Sequence, residues 1–150
     1  MIEEKLAELG ITIPEAPKPL ASYVPAIRTG NLIFTSGQLP LREGKLMFTG
    51  KVDAACTEAY AIKAAEICAI NCLSAIKSQV ASLNDIKRIL KVTVFVASSS
   101  NYNSQPKVAN GASDFILKLF GDNGKHVRSA VGVSELPLNS PVEVEMVAEI

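Results

Sequence analysis

Two long segments of the chain carry apolar residues at helical spacing. From Thr57 to Val80, small apolar residues return every three or four positions, which predicts a helix with a thin apolar stripe and Thr57 as its N-cap. A second series over 105–120 predicts another helix, although the pair Asn110-Gly111 within it has poor helix propensity. The thin stripe of alanine and cysteine in the first helix allows it to lie close to a sheet.

Other segments have the alternating or continuous apolar pattern of strands. The run ILKVTVFV at 89–96 is almost entirely apolar, which predicts a central strand buried on both faces. The elements follow in the order strands, helix, strand, helix, strands, so the sequence predicts an α+β domain with two helices packed on one face of a mixed sheet. The predicted strands span residues 23–27, 32–36, 45–49, 89–96, 127–133 and 142–150.

The N-terminal pattern predicts a short helix over 2–9 that ends at Gly10. The stretch after it is expected to be extended, because it contains Pro14, Pro17 and Pro19. We expect residues 1–20 to form an arm that lies on a domain of residues 21–150. The segment lacks the regions of a signal peptide, and no apolar run approaches the roughly 20 residues that span a bilayer, so no membrane partner is expected.

Charge and cysteine content narrow the functional classes. The chain has 15 basic and 15 acidic residues, and its zero net charge argues against nucleic acid as the main partner. An odd number of cysteines and one histidine, His126, do not make a metal-ligand set, so we expect structural thiols and no metal. Free thiols and the lack of an export signal favour a cytoplasmic location.

None of the familiar short catalytic motifs is present, and nothing in the sequence positions a serine or an aspartate for His126. Arg128 is the first candidate, because the alternation of its strand places it on one face with the small residues Ala130 and Gly132. Its planar guanidinium could bind a carboxylate through two parallel hydrogen bonds. The alternative is a surface arginine paired with an acidic residue of the last strand.

Glu143 and Glu145 share one face of the last predicted strand, opposite its apolar face. A carboxylate near a bound substrate could orient or deprotonate water. The alternative is the solvated face of an edge strand, where either residue could pair with Arg128. If the sheet face away from the helices carries Arg128, Glu143 and small residues, that face is a natural subunit interface.

Four further residues are weaker candidates. Ser36 and Gly37 close a predicted strand, where the glycine would let a ligand or partner approach the backbone, although an ordinary strand end fits equally well. Tyr23 is either a core residue or a site residue, and Asn110 is either a packing polar group or a site contact.

Three stretches of the chain have a specific combination of motifs: SYVPAIRTGNLIFTSGQLPL at 22–41, DIKRILKVTVFV at 85–96 and HVRSAVGVSELPLNSPVEVEMVAEI at 126–150. Together they resemble the RidA/YjgF family, which also carries the older label of L-PSP endoribonucleases. Their joint occurrence in this order is specific, and only the N-terminal arm falls outside the resemblance.

The resemblance implies a chorismate-mutase-like fold that assembles as a homotrimer, with three sheets in a central barrel and each site between adjacent subunits. It implies hydrolysis of short-lived enamines and imines, such as 2-aminoacrylate, to 2-keto acids and ammonia. The expected ligand is a small imine, keto acid or other carboxylate, and neither a cofactor nor a metal is needed.

By the same resemblance, Arg128 binds the substrate carboxylate and Glu143 acts on the attacking water. Ala130 stands where typical members have a cysteine, Gly132 replaces a larger side chain, and His126 takes a place that is often proline. With the N-terminal arm, these departures lead us to expect a divergent subgroup with an N-terminal extension. The implied substrate-binding residues are Tyr23, Ser36, Gly37, Asn110, Arg128 and Ala130.

Two other functions are compatible with the sequence. The altered residues beside Arg128 fit a small-carboxylate ligand-binding or regulatory protein without efficient turnover. The older family label suggests an endoribonuclease or translation inhibitor, but the zero net charge, the absence of tryptophan and the single histidine argue against RNA cleavage.

Overall fold

A mixed β-sheet with helices on one of its faces forms the core of the protein. The structure is a computed structural model and describes residues 1–16, 18 and 21–150. The helices in these residues are α1 Ile2–Glu8, α2 Glu58–Lys77 and α3 Gln105–Phe120. The strands are β1 Ala26–Thr29, β2 Leu32–Thr35, β3 Leu41–Arg42, β4 Lys45–Leu46, β5 Arg88–Ala97, β6 Val127–Val133 and β7 Val142–Glu149.

The main sheet of the described chain has five strands in the order β1-β2-β7-β5-β6, and β3 and β4 form a separate hairpin. β5 and β6 are parallel, whereas the other neighbours in the sheet are antiparallel. α2 packs on β2 and β7, α3 packs on β5 and β6, and the two helices pack on each other. The predicted α+β fold, with two helices on one face of a mixed sheet, is confirmed.

The hydrophobic core lies between the two long helices and the sheet face that they cover, which we call the helix face. Successive residues of a strand point to opposite faces, so every second side chain of a strand enters the core. In β7 the residues of the core face are all buried, as the alternation predicted: Val142, Val144, Met146 and Ala148. We call the opposite face of the sheet the open face.

The predicted central position of β5 is confirmed, but its predicted burial on both faces is wrong. β5 is buried mainly on the helix face, where Val92, Val94 and Val96 lie, because within the described residues no helix packs on its open face. β7 lies in the middle of the sheet, so the alternative of a solvated edge strand for its acidic face is excluded.

Two of the short strands begin or end at residues other than those predicted. β1 begins at Ala26 and not at 23, since Pro25, which has no N–H to donate to a ladder, immediately precedes it. The strand predicted over 45–49 is reduced to Lys45–Leu46, because the chain leaves the hairpin after the second residue.

α2 and α3 approach each other closely at Gly111, which explains a poor helix former in the middle of α3. A Cβ built at Gly111 would overlap the carbonyl oxygen of Ile62 and lie 2.8 Å from its carbonyl carbon. Tertiary packing therefore overrides helix propensity at this position. At the start of α2, Thr57 is the N-cap as predicted, and its Oγ1 accepts a hydrogen bond from the backbone N–H of Tyr60 at 3.2 Å.

Replacing Gly111 by alanine is expected to destabilise the fold by about 1–3 kcal/mol, because the added methyl group forces the two helices apart. Urea unfolding measures the change. The control is Asp114→Ala on the exposed side of the same helix, which should change stability by less than about 0.5 kcal/mol. Equal stability of the two variants would contradict the close helix contact.

The N-terminal segment is tied to the rest of the chain by polar contacts. Ser74 Oγ donates to the carbonyl oxygen of Pro14 at 2.6 Å, and Glu3 Oε1 accepts a hydrogen bond from Ser82 Oγ at 2.8 Å. The predicted extended stretch includes Pro17, Pro19 and Leu20, which lie outside the described residues. The division into an arm of residues 1–20 and a domain of residues 21–150 stays a prediction.

α2 is long and apolar enough to cross a membrane by length and composition, contrary to our expectation that no segment approaches this limit. However, 67% of the most apolar stretch of α2 is buried inside the protein, as is typical of a core helix. Cysteines supply part of that buried surface, and all three are free and buried, as expected for structural thiols. Burial raises the pKa of the Cys72 thiol to about 12, so it stays protonated near neutral pH.

Candidate active site

Arg128 lies on the helix face, at the edge of the sheet. In the strand register it is opposite Val92 of β5, which is opposite Met146 of β7, and both of these residues are buried under the helices. Residues directly opposite each other on paired strands share a face. Ala130 and Gly132 are therefore on the same face as Arg128, as the alternation of the strand predicted. Because β6 is an edge strand, Arg128 stays partly accessible.

Two side chains of α3 hold the guanidinium of Arg128. Nη1 of Arg128 donates to Asn110 Oδ1 at 2.9 Å and to Ser113 Oγ at 3.1 Å. Residues three apart in a helix lie on the same side, so both acceptors face β6. We call Arg128, Asn110, Ser113 and Ala130 the arginine half-site.

Glu143 lies on the open face. It is opposite Phe95 of β5, which in turn is opposite Val131 of β6. The half-buried side chain of Glu143 lies against Gly37, where a built Cβ would be only 2.8 Å from Glu143 Cδ. The lack of a side chain at Gly37 therefore makes room for the carboxylate.

The surroundings of Glu143 favour its protonated form. Burial raises the pKa of Glu143 above its ordinary value of 4.5, and the negative charge of Glu145 adds to the rise. A carboxyl group whose pKa is shifted towards neutral pH is a more effective proton acceptor than one with an ordinary pKa. These surroundings suit a carboxylate that accepts a proton from water.

Ser36 and Tyr23 are close to Gly37 along the backbone, Ser36 as its neighbour and Tyr23 through a contact of Ser36. Ser36 Oγ donates to the carbonyl oxygen of Val24 at 2.6 Å, which joins the end of β2 to the segment before β1. Tyr23 is the residue before Val24, and its side chain is 65% exposed, so the alternative of a core residue is excluded. We call Glu143, Gly37, Ser36 and Tyr23 the glutamate half-site.

One chain does not bring Arg128 and Glu143 together. Their strands, β6 and β7, are separated by β5, and the sheet itself lies between their side chains. The condition that the sheet face away from the helices carries both residues is not met, because Arg128 lies on the helix face. Alternation predicted the two faces of each strand correctly, but it could not match a face of β6 to a face of β7.

Ser113 and His126 lie beside Arg128, although the sequence analysis assigned neither residue to its site. His126 Nε2 is 2.9 Å from Ser113 Oγ, and His126 Nδ1 is 2.6 Å from the carbonyl oxygen of Gly124. Nothing in the sequence positioned a serine or an aspartate for His126, and it is the fold that brings Ser113 to it. The spacing of three between Asn110 and Ser113 was the available signal, because it places both residues on one side of a helix.

Residues 3–150 match a family model described as "YjgF/chorismate mutase-like, putative endoribonuclease". The chain belongs to the YjgF family. This match also includes most of the predicted N-terminal arm. The expected family membership and the chorismate-mutase-like α+β fold are confirmed.

Individual YjgF relatives cover nearly the whole chain. Protein TCP17 of Trypanosoma cruzi is 39% identical, over 99% of this chain and 94% of its own length. A 2-iminobutanoate/2-iminopropanoate deaminase of Dermatophagoides farinae is 28% identical, over 93% of this chain and 94% of its own. The crystal structure of a protein of unknown function from Agrobacterium tumefaciens has a TM-score of 0.92 and 43% identity, over 99% of this chain and 92% of that one.

The glycine at position 132, where the resemblance implied a larger side chain, has a local structural reason in this YjgF-family chain. A Cβ at Gly132 would lie 2.8 Å from Gln105 Nε2 and 3.2 Å from Ser98 Oγ. Gln105 Nε2 donates to the carbonyl oxygen of Tyr102 at 2.8 Å at the start of α3. A larger residue at 132 would displace this side chain, so the glycine fits the way α3 begins in this chain. Nothing in the structure explains Ala130.

Proposed function

We propose that the protein hydrolyses enamines and imines of small carboxylic acids to 2-keto acids and ammonia, in sites formed between the subunits of a homotrimer. The two half-sites carry this proposal. Each has one part of the required chemistry, a carboxylate-binding arginine or a carboxylate base, and they lie on opposite faces of one sheet. A second subunit that places its arginine half-site against the glutamate half-site of the first would complete a site. Three such contacts close a ring.

The open face has the composition of a subunit interface. One row of residues in register crosses it from β1 to β6, and four of its five members are apolar: Ile27, Phe34, Val147, Lys91 and Val127. The exposed fractions are 60% for Ile27, 41% for Phe34 and 68% for Val127. A contiguous exposed apolar row of this kind marks an interaction surface. Because Glu143 lies on the same face, association would also enclose the glutamate half-site.

The chemistry needs few groups. Arg128 binds the substrate carboxylate and fixes the C=N carbon relative to one water molecule. Glu143 takes a proton from that water as its oxygen bonds to the carbon, while the C=N electron pair moves to the nitrogen, which takes a proton from solvent and gives a neutral carbinolamine. Glu143 then returns its proton to this nitrogen, the C–N bond breaks to release ammonia, and the hydroxyl group loses its proton to water as the C=O bond forms. An enamine enters the same sequence after a proton adds to its terminal carbon.

The deaminase from Dermatophagoides farinae supports this reaction class, since it is a relative over nearly the full length of the chain. The three free thiols favour the cytoplasm as the location. A protein that binds carboxylates without turnover is the competing proposal. It would bind a 2-keto acid in an Arg128-dependent way but would release no ammonia from imines generated by an amino-acid oxidase.

A subunit-mixing experiment tests the shared site. Arg128→Ala and Glu143→Gln chains are co-refolded in equal amounts, and ammonia release from an imine is measured. In randomly mixed trimers about a quarter of the sites combine an intact Arg128 with an intact Glu143 from the neighbouring chain. Activity should therefore recover from near zero to about a quarter of the wild-type value.

The matched control replaces the Glu143→Gln chain by the double variant Arg128→Ala/Glu143→Gln, which supplies no intact arginine and should restore nothing. Light scattering should give about 48 kDa, three times the 15.9-kDa chain. An active monomer, or mixtures with no more activity than this control, would refute sites shared between subunits.

A further inference from the structure

We infer that His126 and Ser113 are positioning residues that hold the guanidinium of Arg128 ready for a carboxylate, an inference that rests on the proposed function. The observation behind it is a continuous chain of hydrogen bonds. It runs from the carbonyl oxygen of Gly124 through His126 and Ser113 to Arg128.

The first contact fixes the tautomer of His126. Its Nδ1 is 2.6 Å from the carbonyl oxygen of Gly124, and a carbonyl oxygen can only accept. Nδ1 therefore carries the proton, and in the neutral ring Nε2 is left as an acceptor. Ser113, whose Oγ is 2.9 Å from Nε2, must then donate its hydroxyl proton to His126.

The second contact joins Ser113, as the acceptor, to Arg128. With its proton directed at His126, Ser113 Oγ presents its lone pairs to Arg128 Nη1, which donates to it at 3.1 Å. Asn110 Oδ1 accepts from the same nitrogen at 2.9 Å. Both contacts use Nη1, so they leave the edge formed by Nε and Nη2, which can make two parallel hydrogen bonds to a carboxylate.

Burial favours these hydrogen bonds between protein groups over hydrogen bonds to water. Ser113 is only 8% exposed and His126 is half-buried, so water is a poor substitute for either partner. Ser113 belongs to α3 and Gly124 to the turn that follows it, and both are packed in the fold. The same burial argues against Ser113 as a nucleophile, because a substrate carbon has little access to its oxygen.

The tautomer of His126 is a direct test that does not depend on activity. Long-range ¹H–¹⁵N NMR correlations of the wild-type protein in alkaline solution, where an imidazole is neutral, should show a protonated Nδ1 and an unprotonated Nε2. The opposite tautomer would overturn the inference, because Ser113 would then have to accept from the ring.

A double-mutant cycle tests the action through Ser113. His126→Phe and Ser113→Ala should each raise KM for the imine, and Kd for a stable 2-keto acid, by roughly tenfold, with a smaller change in kcat. The double variant should be no worse than either single variant, since all three lose the same chain of contacts. His126→Gln, whose amide oxygen can accept from Ser113, should recover part of the affinity.

Additive losses, or variants that lower the melting temperature without changing Kd, would overturn the inference. The keto-acid Kd separates this failure from failure of the proposed function. Wild-type protein that binds a 2-keto acid tightly but releases no ammonia would refute the deaminase, while His126-dependent binding would still support the positioning role.

Discussion

Replacing Arg128 by alanine is expected to lower kcat/KM for imine hydrolysis by a factor of about 10³, because a bidentate charge-assisted contact to the substrate is lost. The loss should appear in kcat as well as in KM, since the arginine also orients the C=N carbon towards water. Coupled release of ammonia and 2-keto acid, followed at equal trimer concentration, measures both constants.

Two further variants separate charge from geometry. Arg128→Lys keeps the positive charge but not the planar fork, so it should recover only part of the rate. Arg88→Ala removes an exposed arginine from the same sheet and should leave kcat/KM unchanged. Full activity of Arg128→Ala would show that the substrate is held elsewhere.

Replacing Glu143 by glutamine should lower kcat by a factor of about 10²–10⁴ with little change in KM, because the amide keeps the shape of the side chain but cannot accept a proton from water. Steady-state rates at neutral pH, with Glu145→Gln as the matched neighbour, test this role. Similar losses in both variants would point to a general effect of charge on the open face and not to a base at Glu143.

The pH dependence follows from the raised pKa of Glu143. The base must be ionised, so kcat/KM should fall as the pH drops through a pKa above the ordinary 4.5. Because the charge of Glu145 contributes to the rise, Glu145→Gln should move this acid limb to lower pH. A limb at or below the ordinary value would contradict the environment assigned to Glu143.

Ionisation of Glu143, which activity requires, should lower the stability of the fold. A carboxyl group whose folded pKa is raised stabilises the fold below its unfolded pKa and loses that contribution as the pH rises through the folded pKa. Glu143→Gln should therefore raise the melting temperature at neutral pH. This advantage should disappear in acid, where the wild-type carboxyl group is protonated.

Much of the fold could be predicted, because its long elements have clear periodicity. The limits of α3 and β6 are those that the apolar pattern indicates, and the alternation in β7 separates core residues from Glu143 and Glu145 correctly. The short strands were less predictable, since proline and hairpin geometry set their limits. The family was also identified from the sequence, because its motifs are spread over most of the chain.

The sequence by itself determined which side chains share a face within each strand, and which residue types could bind a carboxylate or activate water. Only the tertiary structure decided that Arg128 and Glu143 lie on opposite faces, because strand register and helix placement are set by packing between distant segments. The close approach of α2 at Gly111 and the contact of Ser113 with His126 have the same origin. Each contact joins residues that become neighbours only when α3 packs, so no local sequence pattern could predict it.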